Sequence, residues 1–200
     1  MAPLTPASIA ADPNILTRTP TLPSGEEIRL RLLLPDDWEL LGRYFTDLSE
    51  ATRQLYAPHP FDVDTARQLC TEIDYAQVMR FIALSDRDGT TQIIAYFIVW
   101  PGTNESEERR YAERGTPLDS AITCTLAPSV ADDYQSQGVG SSLMPDILEI
   151  MCRLGKRQMV LAGGTRAINH RAIRFYEKTG FRKVGDFEGN GGNHDMLLEL

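Results

Sequence analysis

A glycine-rich turn between a β-prone segment and a helical segment is the feature that most constrains the fold of this 200-residue chain. The β-prone residues 118–130 lead through Gly138 and Gly140 into residues 138–154, where apolar side chains recur at helical spacing. A helix start presents free N–H groups and the positive end of its dipole, and glycines let a ligand approach the backbone closely. The pattern therefore predicts an anion site suited to a pyrophosphate, with a plain strand-to-helix turn as the alternative.

Two common phosphate-binding motifs do not explain this turn. The chain contains no Walker sequence GxxxxGK[ST], and no GxGxxG follows its first predicted strand. A P-loop nucleotidase and a dinucleotide-binding Rossmann domain are therefore excluded as interpretations of the glycines.

Charge and composition exclude several further classes of protein. The net charge of −8 disfavours nucleic-acid binding, which needs basic residues to displace phosphate counterions. The longest apolar run, Ile93 to Trp100, is far shorter than the ~20 residues of a membrane span. The three cysteines (Cys70, Cys124 and Cys152) are odd in number and show no CxxC spacing, which argues against a disulfide framework or a zinc site and favours a reducing, cytoplasmic compartment.

Hydrophobic periodicity predicts a single domain that mixes strands and helices. Seven strands are predicted, at residues 27–34, 80–86, 91–100, 118–130, 158–162, 181–188 and 194–200. Four helices are predicted, at about residues 35–48, 65–76, 138–154 and 168–179. The pair Asp88-Gly89 indicates a hairpin between the second and third strands.

Two segments have no regular period. Residues 1–25 contain five prolines, so we expect a tail or an arm on the surface, with residues 26–200 forming the one domain. Residues 101–117 are polar and carry mixed charge, which predicts a long loop.

A second motif follows the glycine-rich turn by about thirty residues. It consists of Asn169, the pair Phe175-Tyr176 and the pair Gly180-Phe181. Together with Gln135, Gly138 and Gly140, which match the signature [Q/R]-x-x-G-x-[G/A], this motif resembles the GNAT superfamily of acetyl-CoA-dependent N-acetyltransferases. The order of predicted elements over residues 27–200 is similar to that family as well.

The resemblance implies both a fold and an activity. The fold is α+β (α/β): a mixed, mostly antiparallel sheet of about seven strands, splayed between strands 4 and 5 and flanked by about four helices. The activity is transfer of an acetyl group from acetyl-CoA to a primary amine by direct attack, without a metal. The acceptor would be a small-molecule amine or a protein lysine, and the enzyme a monomer or homodimer. No nucleic-acid or membrane partner is expected.

The resemblance also implies roles for particular residues. The backbone of Pro128, Ser129 and Val130 would pair with the pantetheine arm of the cofactor. The pyrophosphate would be cradled by the amides of Gln135, Ser136, Gln137, Gly138, Val139, Gly140 and Ser141. Asn169 would bond the cofactor arm, with a simple helix N-cap as its alternative role.

Tyr176 would protonate the leaving thiolate, although its spacing alone fits a core aromatic. Three cations on one helical face, Arg171, Arg174 and Lys178, could meet the 3′-phosphate of CoA or form a solvated surface.

One position departs from the family pattern. Many members carry a general-base glutamate on the fourth strand, where this chain has Cys124. A cysteine without a visible partner is expected to be a buried filler, neither nucleophile nor base. The base could be Asp119, a residue elsewhere such as Glu39, or a water chain. A CoA-binding sensor or inactive module is the rival interpretation, and a purely structural interaction protein is a further alternative. The acceptor site is expected to lie among the N-terminal helices and residues 101–117.

Overall fold

A single sheet of eight strands organises the chain, which this computed structural model describes over residues 4–56, 58–87, 89–189 and 191–200. The strands are β1 (Arg29–Leu32), β2 (Met79–Arg87), β3 (Thr90–Trp100), β4 (Thr123–Val130), β5 (Gln158–Leu161), β6 (Thr165–Arg166), β7 (Arg182–Phe187) and β8 (Asn193–Glu199). Their order is β1-β2-β3-β4-β5-β8, with β6 beside the start of β8 and β7 on the other edge of β8. Only the β4–β5 pair is parallel within the described chain, so the expected mixed, mostly antiparallel sheet is confirmed.

The sheet splays between β4 and β5, as the resemblance implies. The two strands pair only from Thr123 to Leu126, and the last bond runs from the Ala162 amide to the Leu126 carbonyl at 2.9 Å. Beyond Leu126, β4 stays paired with β3 as far as Val130 and has no partner on its β5 side among the described residues. One edge of β4 is therefore open.

The helices cover both faces of the sheet because side chains alternate along each strand. They are α1 (Pro6–Ala11), α2 (Trp38–Asp47), α3 (Glu50–Leu55), α4 (Val63–Thr71), α5 (Glu105–Ala112), α6 (Val139–Arg153) and α7 (His170–Thr179). Helices α6 and α7 pack on the face that carries Phe97 and Val99. Helices α2 and α4 pack on the opposite face, which carries Tyr96 and Ile98. The hairpin between β2 and β3 is present, although its turn residue Asp88 lies outside the described residues.

Helix α5 corrects the prediction of a long loop at residues 101–117. Asn104 and Glu107 form a reciprocal capping box that satisfies free amides at the helix start. Tyr111 is fully buried, and its hydroxyl donates to the Met196 carbonyl at 2.7 Å. The periodicity is too weak to predict this helix because Tyr111 is its one buried apolar residue.

The N-terminal segment is anchored more deeply than a surface arm would be. Within residues 4–25, the buried apolar side chains Leu4, Ile9, Leu16 and Leu22 join the main core cluster. The Arg18 amide bonds the Leu30 carbonyl at 2.9 Å, which attaches the segment to β1. These apolar positions follow no regular period because a short helix, a 3-10 turn and extended chain succeed one another.

Candidate active site

A cleft of about 440 Å³ opens along the free edge of β4. Its walls are the end of β4, the loop before α6, the first turn of α6, one face of α7 and the end of α3. Eleven of the twelve residues predicted to hold the cofactor line it: Pro128, Ser129, Val130, Gln135, Ser136, Gly138, Val139, Gly140, Ser141, Asn169 and Tyr176. The twelfth, Gln137, instead donates its side-chain amide to the Asp133 carbonyl.

The free edge of β4 offers a defined set of backbone groups. The Leu126 carbonyl bonds toward β5, and the Ala131 amide donates to the Ile94 carbonyl of β3 at 2.9 Å. Because backbone groups alternate in direction along a strand, Pro128 and Val130 direct theirs to the open side. Pro128 has no N–H, and the Val130 carbonyl accepts from Gln135 Nε2 at 3.0 Å. The edge therefore presents the Pro128 carbonyl as acceptor and the Val130 amide as donor.

The loop before α6 turns its amides toward the cleft through two left-handed residues. Gly138 has φ +84° and Ser136 has φ +62°, a conformation that is uncommon for a residue other than glycine. Successive amides in such turns form concave nests that bind anions. Helix α6 starts at Val139 directly behind the loop, so its positive dipole end adds to the same site.

Close neighbours leave no room for a side chain at either glycine of the turn. A Cβ at Gly140 would lie 3.1 Å from the Phe175 ring, so this glycine lets α6 approach α7. A Cβ at Gly138 would lie 2.7 Å from Pro23 Cγ, so the N-terminal segment packs against the back of the loop.

Asp132 fixes the loop to the start of α3. Its carboxylate accepts hydrogen bonds from the Ser49 amide and hydroxyl, both at 2.8 Å, and from the Thr52 hydroxyl at 2.6 Å. Burial by itself would raise the pKa of Asp132, but the hydrogen bonds from Ser49 and Thr52 outweigh it and hold the pKa below its usual value. The carboxylate therefore stays charged and keeps the loop in place.

Helix α7 contributes one capping residue and one buried phenol. Asn169 is the N-cap, its Oδ1 accepting from the Ala172 amide at 3.1 Å, and it also lines the cleft, so both roles considered for it are compatible. Tyr176 is 6% exposed, and burial raises the pKa of its hydroxyl. The phenol is protonated at neutral pH, and Tyr176 lines the cleft.

The three cations of α7 stand at the mouth of the cleft. Arg171, Arg174 and Lys178 are exposed, and all three line its wall. This placement supplies positive charge beside the anion-binding loop.

The candidates for a general base are not brought to the cleft. Asp119 is exposed in the turn before β4, where its Oδ1 accepts from the Ala121 amide at 2.9 Å. The length of β4, roughly 23 Å at ~3.3 Å per residue, separates that turn from Val130. Glu39 is exposed in the first turn of α2 and does not line the cleft.

Cys124 is fully buried, and its thiol contacts the Gln158 carbonyl at 3.4 Å. Burial raises the pKa of this thiol to about 12. A protonated, enclosed thiol is a poor nucleophile, so the geometry agrees with the role of a core filler.

The α3 residues that complete the cleft belong to neither sequence motif. Thr52 and Leu55 line its far wall beside Tyr56, whose hydroxyl donates to the Ala127 carbonyl at 3.1 Å. Ser49 is an ordinary helix N-cap signal that could have located α3.

The comparisons with known proteins agree with this geometry. The family described as "Acetyltransferase (GNAT) domain" matches residues 76–183. An acetyltransferase of Pseudomonas aeruginosa is 30% identical over 148 residues, which cover 70% of this chain and 67% of that protein. The chain therefore belongs to the GNAT acetyltransferase family.

Solved structures show the same fold at low sequence identity. The GNAT domain of S. lividans PAT superposes with a TM-score of 0.74 at 20% identity, covering 94% of this chain and 99% of that one. The aminoglycoside acetyltransferase AAC(6')-Ib, solved with coenzyme A, gives a TM-score of 0.63 at 18% identity over 86% of this chain and 94% of its own. A GCN5-related N-acetyltransferase from Kribbella flavida gives a TM-score of 0.64 at 21% identity, covering 86% of this chain and 98% of that one.

Neither grouped metal ligands nor membrane-spanning helices occur among the described residues. In the part of the chain that the structure describes, no three His, Cys, Asp or Glu side chains are grouped as ligands for a metal ion. None of the described helices is long and apolar enough to cross a bilayer.

Proposed function

We propose that this protein transfers the acetyl group of acetyl-CoA to a primary amine by direct attack, and that residues 26–200 are the catalytic domain. The observation that carries the proposal is the meeting of three features in one cleft: an anion-binding loop, an open strand edge with the Val130 amide, and the buried Tyr176 hydroxyl. A cosubstrate with a pyrophosphate, an amide-rich arm and a thioester would use all three.

The residues present fit such a cosubstrate. The pyrophosphate would lie on the amides of residues 136–141, because the Gln135 amide already donates to the Asp132 carbonyl at 3.2 Å. The pantetheine arm would extend along β4 as an added strand. The Pro128 carbonyl and the Val130 amide have no strand partner on that edge within the described residues. The solved complexes of AAC(6')-Ib with coenzyme A and acetyl-CoA support CoA as the cosubstrate.

The chemistry follows from the groups at the end of the cleft. The neutral nitrogen of the acceptor attacks the thioester carbon, and the Val130 amide stabilises the charge that develops on oxygen. The C–S bond breaks, and the Tyr176 hydroxyl gives its proton to the departing sulfur. Holding both substrates in contact supplies a large part of the acceleration.

The acceptor would be an amine on a small molecule or on a protein lysine. The similar enzyme AAC(6')-Ib, solved with coenzyme A and kanamycin, supports a small polar amine. The net charge of −8 favours a cationic acceptor by simple attraction.

A second candidate function is a CoA-binding sensor without catalysis. The replacement of the family's strand glutamate by Cys124 favours it. The buried Tyr176 hydroxyl in the cleft favours the enzyme, since a sensor has no need of a proton donor there.

Release of free CoA from acetyl-CoA in the presence of amines separates the two candidates. The assay uses kanamycin, spermidine and a peptide with one lysine, with amine-free and enzyme-free reactions as controls. Acetyl-CoA consumption that depends on an amine, with an acetylated product in the mass spectrum, is the expected result. Tight CoA binding with no turnover of any of the three amines would favour the sensor. Failure to bind CoA would overturn both candidates.

A further inference from the structure

Two side-chain hydroxyls line the cleft beside the free edge of β4. They belong to Ser129, on β4 itself, and to Tyr56, which follows α3. Ser129 is 7% exposed and directly precedes Val130, whose amide is the donor on the open edge. The chemistry described so far gives neither hydroxyl a role.

The hydrogen of the Ser129 hydroxyl is used by a backbone carbonyl. Ser129 Oγ lies 2.7 Å from the Tyr44 hydroxyl and 3.3 Å from the Tyr96 carbonyl. A carbonyl can only accept, and the buried Tyr44 hydroxyl has no other hydrogen-bond partner among the described residues. Both contacts are therefore satisfied only when Tyr44 donates to Ser129 and Ser129 donates to Tyr96. One lone pair of the serine oxygen then has no partner in this network.

The hydrogen of the Tyr56 hydroxyl is used in the same way, because it is donated to the Ala127 carbonyl at 3.1 Å. Burial raises the pKa of this hydroxyl, and the nearby side chains of Ser129 and Tyr176 also affect it. The phenol therefore keeps its proton at neutral pH, and its oxygen retains lone pairs that can accept. Ser129 Oγ and Tyr56 Oη thus form an acceptor pair, two neighbouring oxygens whose own hydrogens are already donated to the backbone.

The acceptor pair and Tyr176 approach the β4 edge from opposite faces of the sheet. Ser129 pairs in register with Tyr96 and bonds Tyr44 of α2, so its side chain lies on the face that α2 and α4 cover. Tyr176 belongs to α7 and to the core cluster on the other face. A cosubstrate arm on the free edge would run between the two. The thiolate would then leave toward Tyr176, and the face that carries the acceptor pair would remain for the attacking amine.

We propose that the acceptor pair binds the attacking nitrogen and selects a primary amine. The inference rests on the proposed function. A neutral primary amine has two N–H groups and one lone pair. Its N–H groups donate to Ser129 Oγ and Tyr56 Oη, and its lone pair then faces the thioester carbon. A secondary amine has a single N–H, so it makes only one of these two hydrogen bonds. Tyr44 is a positioning residue, since it acts only through Ser129.

The test compares a primary amine with its N-methyl derivative, using the amine that the full-length protein acetylates fastest in the assay above. Ser129→Ala and Tyr56→Phe each remove one oxygen of the acceptor pair. Thr123→Val is the matched control. Thr123 carries another buried hydroxyl of β4, which donates to Gln158 Oε1 at 3.1 Å. It lies at the opposite end of the strand, roughly 20 Å from Ser129.

For the primary amine, Ser129→Ala and Tyr56→Phe should each lower kcat/KM by about tenfold, which corresponds to one lost hydrogen bond. The N-methyl derivative should lose little, because it needs one acceptor oxygen and the other remains. The preference for the primary amine therefore falls in both variants, while the Kd for CoA stays unchanged. Thr123→Val should keep the wild-type preference.

Tyr44→Phe tests how the serine is oriented. It should lower kcat/KM for the primary amine in the wild-type protein but add little to Ser129→Ala, because its effect passes through the serine oxygen. Tyr56→Phe keeps the ring packing against Phe61 and remains informative if Ser129→Ala does not fold.

The failure of this inference is distinct from that of the proposed function. Equal losses for the two amines in Ser129→Ala and Tyr56→Phe, with wild type active, would overturn the acceptor pair alone. A tenfold weaker affinity for CoA in both variants would assign the hydroxyls to the cofactor arm and also overturn it. Wild-type protein that binds CoA but acetylates no amine would overturn the proposed function and this inference with it.

Discussion

The two sides of the cleft are built in different ways. The side proposed to bind the cofactor, called the cofactor side here, consists of the β4 edge, the loop at residues 135–141 and α7, and it presents mainly backbone amides and carbonyls. The opposite side consists of the end of α3 and the following Tyr56, and it presents side chains. Backbone sites need glycines and caps at fixed spacing, whereas side-chain sites place no such demand on the sequence. The cofactor side is therefore the one whose chemistry can be inferred from a motif.

Tyr176 contributes a side chain to the cofactor side of the cleft. Removal of its hydroxyl should have the largest effect on the catalytic rate. Tyr176→Phe keeps the ring packing against Phe175 and Phe181 but removes the proton donor. We expect kcat to fall by ~10²–10⁴-fold with CoA binding retained, measured by thiol release and by calorimetry. Tyr75→Phe is the control, because its hydroxyl bonds the Leu33 carbonyl away from the cleft. Equal rates for Tyr176→Phe and wild type would assign Tyr176 to packing.

An added charge tests the amide cradle directly. Ser141→Glu places a carboxylate in the first turn of α6 at the cleft, where it would repel a pyrophosphate. A repulsion of about 1–4 kcal/mol at contact predicts a rise in the Kd for CoA of roughly tenfold or more. Gln137→Glu adds the same charge with the side chain outside the cleft and should change Kd less. Equal effects of the two variants would place the pyrophosphate elsewhere.

The cations of α7 are charged side chains on the cofactor side, which otherwise presents mainly backbone groups. Their replacement therefore tests how much side chains contribute to ligand binding on that side. Replacement of Arg171, Arg174 and Lys178 by alanine should weaken CoA by roughly tenfold in total but weaken 3′-dephospho-CoA much less. Arg157→Ala, which removes an exposed cation outside the cleft, is the control. If CoA and dephospho-CoA lose affinity equally, the three cations attract the ligand only by general charge.

Cys124 should give the smallest effect on activity. Cys124→Ala leaves a small cavity in a fully buried site, which we expect to cost about 1 kcal/mol of unfolding free energy. The catalytic rate should stay within a few-fold of wild type, because burial raises the pKa of the thiol to about 12. Chemical denaturation and thiol release measure the two quantities. An acetylated Cys124 in the mass spectrum would contradict direct transfer.

Much of the sheet and helices α2, α6 and α7 were predictable because their apolar side chains repeat at regular intervals. Leu143, Ile147 and Ile150 of α6 are all fully buried, as their spacing predicts. Helix α5 was not predictable in this way, since it is held by a capping box and by one aromatic side chain. The residues proposed to bind the cofactor were identified by the resemblance, whereas Thr52 and Leu55 of the opposite wall lie on α3, a helix that the hydrophobic pattern did not reveal.

The contact between Pro23 and Gly138 joins the N-terminal segment to the loop proposed to bind the cofactor. The Ser142 hydroxyl donates to the Thr21 carbonyl at 3.3 Å, and Arg18 donates to Glu149 at 3.2 Å, so two further contacts join the segment to α6 itself. Thermodynamic linkage is reciprocal. If docking of the N-terminal segment strengthens ligand binding, ligand binding stabilises the docked segment by the same free energy. If CoA binds the loop as proposed, we expect the amides of residues 18–23 to exchange hydrogen more slowly in its presence.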